Sequence, residues 1–342
     1  MRTSTIIQIG EQNAWLIPLW SAAAGAVLVV PVFILHHLHS GKSFIQIPSI
    51  VLGPWAGKVV VLIYFLFFSM LLAWVLHNMS DFLKGTYMTE TPKSVFHLMF
   101  LLVAVYAVTK GVNTIGSINQ FVTPLLFFPF WISVLLGLPD WDSERFMPLF
   151  HFAVWDVFFQ SHPFIAFPFM EWFCLFMLYL FVERRPGRAL IMGIALAAVS
   201  ISVLTAFVIG LVSVERASKL NFPVYTFVQE ISLGDVITNI HAVMSMVLLI
   251  LIFIKVVILF YSVYISWILL VQPKTTWATF WGLVLFEGAV ARCIYLNPVQ
   301  NIEFINNYFF IYSSIFVVII PGLLLIISWI KKAMARREGA SL

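Results

Sequence analysis

Residues 154–169 read VWDVFFQSHPFIAFPF, an apolar run of helical length broken from within by Asp156, Gln160, Ser161, His162 and Pro163, then by Pro168, with Glu171 just beyond. Proline has no amide hydrogen and its ring clashes with the preceding turn, so two closely spaced prolines predict an interrupted helix. Backbone groups freed by such a break need partners. In hydrocarbon they are tolerated only where they line a cavity or pack in protein, and broken helix ends direct their dipoles at charged ligands. The segment is therefore read either as a ligand cavity or as a proline kink capped by Ser161 and His162. The convergence of several polar groups rather than one favours the cavity.

Working outward, the surroundings are those of a polytopic membrane protein. Hydrophobic residues make up 62% of the chain and charged ones 10%, and the mean hydropathy is +1.01; a soluble domain has an apolar share of about 45–50%. Windows long enough to cross about 30 Å of hydrocarbon at 1.5 Å per residue number nine. They are Ala14–Leu35, Gly57–His77, Pro92–Val112, Phe121–Leu138, Phe150–Phe181, Ala189–Val212, Ala242–Val271, Trp277–Leu296 and Phe309–Ile330. None has the short alternating pattern of a barrel strand, so an all-α fold is expected. The loops are too short for a separate soluble domain, and residues 1–342 are read as one transmembrane domain. The first stretch is too long for a signal-peptide core and is read as retained. Cys174 and Cys293 fall in different spans, as small apolar residues rather than a disulfide.

Lys and Arg accumulate on the cytoplasmic side of membrane proteins. Counting alternate loops places Lys42, Lys58, Lys110, Arg184, Arg185, Arg188, Lys274, Lys331, Lys332, Arg336 and Arg337 on one face. The smaller set, Arg2, Lys84, Lys93, Arg145, Arg216, Lys219 and Arg292, lies on the other. The first face, with the C-terminus, is expected in the cytoplasm. The net charge of +4 is read as this anchoring and not as nucleic-acid binding.

Lys255 stands near the middle of its span, too deep to snorkel comfortably, so it is expected to face the protein interior. Its candidate partners are Glu171 and Glu287, and it serves either function or a structural ion pair. His241 and Ser245, one turn apart, either extend a polar stripe toward Lys255 or cap the helix; capping is the reading taken for His241. Tyr64 and Ser69 are weaker cavity candidates. His36, His37 and His39 lack a nearby Cys, Asp or Glu and are read as interfacial, not as a metal site. Trp15, Trp20, Trp55, Trp141 and Trp277 are read as markers of membrane boundaries. With no Walker loop, dinucleotide turn or zinc-protease helix, neither an enzyme nor a cofactor is expected.

The order and spacing of several stretches resemble the B subunits of bacterial spore germinant receptors, within the amino acid/polyamine/organocation transporter superfamily, over about residues 5–335. The stretches are Gln12-Asn13-Ala14-Trp15-Leu16, Leu52-Gly53-Pro54-Trp55-Ala56-Gly57-Lys58, Tyr64-Phe65-Leu66-Phe67-Phe68, Gly111-Val112-Asn113 through Pro124, Phe222-Pro223 and Leu233-Gly234-Asp235. Ser117, Gln120, Asn239 and His241 stand where the family pattern tends to place charged residues, as in a divergent paralogue.

The resemblance implies five-plus-five inverted repeats of an amino acid permease-like bundle, ten helices in all, with the Ala14-Trp15 signature opening the second. Most of the first helix is then expected to be missing from this chain. The substrate would lie between broken helices one and six and helices three and eight. Phe150–Phe181 becomes helix six, Gly57–His77 helix three and Ala242–Val271 helix eight. Expected contacts are Gln160, Ser161, His162, Pro163 and Phe164, with Tyr64, Ser69 and Ser245 as additions. By loose analogy, Lys255 stands in for a coupling cation.

The implied function is a receptor subunit in the spore inner membrane that binds an amino acid or similar germinant and acts with A and C subunits. A secondary amino acid transporter coupled to protons or another cation is the alternative. A third reading is an N-terminally truncated, non-functional paralogue.

Overall fold

The computed structural model describes residues 3–148, 153–182, 185–220, 222–230, 240–295 and 297–339. Leu233, Gly234, Asp235, Asn239 and the side chain of His241 lie outside the described residues, as does the start of the stretch read as Phe150–Phe181. Among the described residues no strand occurs.

The chain begins with α1 (Thr3–Gly10), a tight turn over Glu11–Leu16, α2 (Ile17–Leu28) and α3 (Val30–Leu38). The run predicted as one span is thus stepped, with Pro18 and Pro31 each in the first turn of a new helix, where a missing amide hydrogen removes no bond. A short α4 (Ile47–Leu52) turns through Gly53, at φ +85°, into α5 (Pro54–Thr86). Next come α6 (Lys93–Thr109) and α7 (Val112–Leu136). The interrupted segment holds α8 (Val154–Gln160) and the single turn α9 (His162–Phe164). Beyond it run α10 (Pro186–Val212), α11 (Val214–Lys219), α12 (Pro223–Glu230) and α13 (Ile240–Val271). The chain closes with α14 (Thr276–Cys293), α15 (Pro298–Asn307), α16 (Phe309–Ser314) and α17 (Ile320–Gly339).

Six helical stretches among the described residues are long and apolar enough to cross a bilayer: Thr3–Leu38, Pro54–Thr86, Val112–Leu136, Pro186–Val212, Val243–Val271 and Phe309–Met334. Lys93–Thr109 and His162–Met177 are apolar but shorter. Two helices run well past the apolar windows. In α5 the added turns carry Asp81, which is ion-paired with Lys93 at the start of α6. The polar first half of α7 is helical too, and there Thr114, Ser117 and Thr123 turn their hydroxyls back to carbonyls four residues earlier, so that they present no unpaired donor.

Apolar burial among the described residues falls into two large cores and a small third cluster of Met79, Leu83 and Phe96. The larger joins α3–α6, α13, α14, α16 and α17, and takes Ala166, Met170, Phe173 and Phe176 from the interrupted segment. The second core joins α1, α2 and α10–α12, and takes Val157, Phe164 and Phe169. The interrupted segment therefore lies between these two. Gly25 permits the close approach of α2: a Cβ there would fall 2.8 Å from the Phe169 Cβ and 3.1 Å from its carbonyl oxygen.

Candidate functional site

The helix is interrupted where its sequence withholds backbone donors. Ser161 leaves helical geometry after α8, α9 is one turn, wide turns follow over Ile165–Met170, and tight turns run over Glu171–Met177. Phe167, just before Pro168, has non-helical φ −122° and ψ 104°, as the residue before a proline prefers.

Side chains close part of the break. Ser161 donates to the Phe158 carbonyl (2.7 Å) and accepts from the Trp20 indole (3.0 Å). The His162 ring nitrogens face the carbonyl oxygens of Phe159 (2.9 Å) and Asn306 (3.0 Å). A neutral imidazole donates to only one of these. Through Asn306 the break is tied to α15. Pro163 and Phe164 are buried, whereas Gln160 is exposed.

The intramembrane charges separate. Lys255, on α13, pairs with Glu171, and its ammonium lies 4.6 Å from the centre of the Phe167 ring. The Glu171 side chain is 5% exposed and that of Lys255 31%. Glu287 takes no part in this pair; it faces Ser69 instead.

The weaker site candidates have their polar atoms turned to other parts of the bundle. Tyr64 donates to the Phe316 carbonyl (3.0 Å) within a cluster of Phe44, Phe68 and Phe173. Ser245 accepts from Tyr87 (2.6 Å). Of the aromatic boundary markers, Trp55 and Trp277 are exposed, but Trp20 binds Ser161 and Trp141 packs with Phe146 and Phe207. An indole at a helix end serves a protein partner as readily as an interface.

A polar cluster that the sequence reading missed joins α5, α6, α14 and α15. Lys93 pairs with Asp81 and donates to Nε2 of His77 (3.0 Å), which leaves Nδ1 to donate to the Ala291 carbonyl (2.7 Å). The Tyr295 hydroxyl reaches Asn78 (2.9 Å) and Asp81 (3.0 Å), and Asn301 donates to Asn78 (2.7 Å) while accepting from Trp74. Ser80 accepts from His97 (3.0 Å). Its sequence signal is faint: His77 and Asp81 are four apart and share a helix face, but each resembles an ordinary helix-end polar residue.

A family profile described as spore germination protein matches residues 3–295. The chain belongs to the spore germination protein family. It is 22% identical over 231 residues to spore germination protein B2 of Bacillus subtilis (strain 168), covering 67% of this chain and 62% of that protein. It is 24% identical over 239 residues to the putative spore germination protein YfkT of the same organism, covering 67% and 63%. The chain thus spans less than two thirds of either relative. Within this spore germination protein, the interrupted segment, Lys255 and Glu287 all fall inside the family match.

Proposed function

We propose that this chain is the membrane subunit of a nutrient germinant receptor, which binds a small zwitterion such as an amino acid at the interrupted helix and acts with A and C subunits in the spore inner membrane. The observation that carries the reading is the break, in a spore germination protein, lying between two apolar cores with an ion pair beside it. A ligand with ammonium and carboxylate groups suits such a place. Unwound backbone supplies carbonyls and amides at helix ends, and Lys255 with Glu171 supplies charges of both signs. A segment anchored in both cores transmits a change at the break to each of them.

The proposal includes an inverted-repeat, amino acid permease-like bundle, a cytoplasmic C-terminus and a non-enzymatic role. Gln160, Ser161, His162, Pro163 and Phe164 are its ligand positions. Tyr64, Ser69 and Ser245 are weaker additions to that set.

Transport coupled to protons or another cation is the second reading, suggested by Lys255, an ionisable group inside a span and paired with Glu171. Uptake of labelled amino acids into vesicles separates the two. Receptor function predicts saturable binding without accumulation, and accumulation driven by a proton gradient would select the transporter.

A further inference from the structure

Glu287 lies in the second half of α14, with 0% of its surface exposed. Neither carboxyl oxygen has a hydrogen-bond partner among the described residues. The Ser69 hydroxyl, 2% exposed, is the polar group that faces it from α5, and it has no other partner among the described residues. The walls are apolar: Phe286 stacks on Phe65, Leu283 and Val284 are buried beside it, and Leu101 reaches Gly288 from α6.

Of the other titratable groups on the elements packed against α14, Lys58, Lys84 and Tyr106 are exposed, Tyr264 stacks on Phe280, and others are held by polar partners. Tyr64 donates to Phe316, and His77, Asp81, Lys93 and His97 belong to the polar cluster. Lys255 is held by Glu171. An ionised carboxylate in an apolar interior without a partner is so unfavourable that the group is carried neutral instead. A neutral acid has one O–H donor, and a serine hydroxyl accepts such a bond. One carboxyl and one hydroxyl are too few donors for a hard cation, which gathers several oxygen ligands.

We infer that Glu287 is a proton-binding site in the α5–α14 interface. With the helices packed together the carboxyl carries a proton. Separation of α14 from α5 admits water, the proton passes from the carboxyl oxygen to water, and a carboxylate remains. The site is distinct from the Lys255–Glu171 pair, and its protonation does not depend on what binds at the break.

The test is infrared spectroscopy of the full chain in lipid nanodiscs, with glutamate side-chain carboxyls labelled by carbon-13. At neutral pH a protonated-carboxyl carbonyl band is expected to shift with the label, vanish in Glu287→Gln, persist in Glu171→Gln and change frequency in Ser69→Ala. Absence of the band from the unmodified chain, or its survival in folded Glu287→Gln, overturns the inference. So does its loss on adding sodium at constant pH, which would make the site a cation site. If Glu287→Gln does not fold, the labelled band and its Ser69→Ala shift decide, and an unshifted band counts against the inference.

Discussion

The Lys255 ammonium meets the Glu171 carboxylate within the bundle, so α13 is tied to the first turn beyond the break. The lysine lies against Phe167, the residue whose backbone leaves helical geometry. One contact therefore joins a long helix to the irregular segment. Removing one member of a buried pair strands the other charge, whereas replacing both is far milder. Glu171→Gln and Lys255→Met are each expected to destabilise the protein by about 3 kcal/mol, the low end of the usual range because Lys255 is partly exposed. The double variant should recover part of that loss, as read by thermal unfolding in nanodiscs.

Asn301 bridges Trp74 and Asn78, while Asn306 on the same helix faces His162 in the break. Asn301→Ala leaves the Trp74 indole and the Asn78 amide without this partner, at about 1–3 kcal/mol. Hydrogen exchange is expected to rise in residues 298–307 and also in 161–164. A rise confined to the first stretch would show that α15 and the break move independently.

Gly25 is the contact point of α2 with Phe169. Gly25→Leu inserts a side chain where a Cβ alone is crowded, and overpacking of this kind costs about 1–3 kcal/mol. Lower thermal stability and an altered near-ultraviolet dichroism spectrum are the expected signs.

Ser161→Ala removes the acceptor of the Trp20 indole and a local backbone cap. A net loss of about 0.5–1.5 kcal/mol is expected. Trp20→Phe should produce a similar loss, and the double variant should fall short of the sum, as measured by denaturant unfolding.

The helical class and the break were legible because each rests on local chemistry: apolar length for the spans, and Pro163 and Pro168 for the interruption. Lys255 was legible as an anomaly, but its partner was not. Glu171 and Glu287 are equivalent on paper, and only the rotation of α13 against the interrupted segment separates them. Orientation also hid the role of Ser69, which faces Glu287, and of Trp20, which serves Ser161. The cluster around His77 was missed for a related reason. Asn78, Tyr295 and Asn301 are unremarkable singly, and they meet only when α5, α14 and α15 pack.

The proposed place of action of a small zwitterion is the break around His162. It is tested most directly by germination of spores carrying this chain with A and C partners, against a panel of common L-amino acids, for His162→Ala and Lys255→Met at matched protein levels. A lost response or a changed amino acid preference is expected in both variants. An unchanged response to the whole panel in both would contradict it.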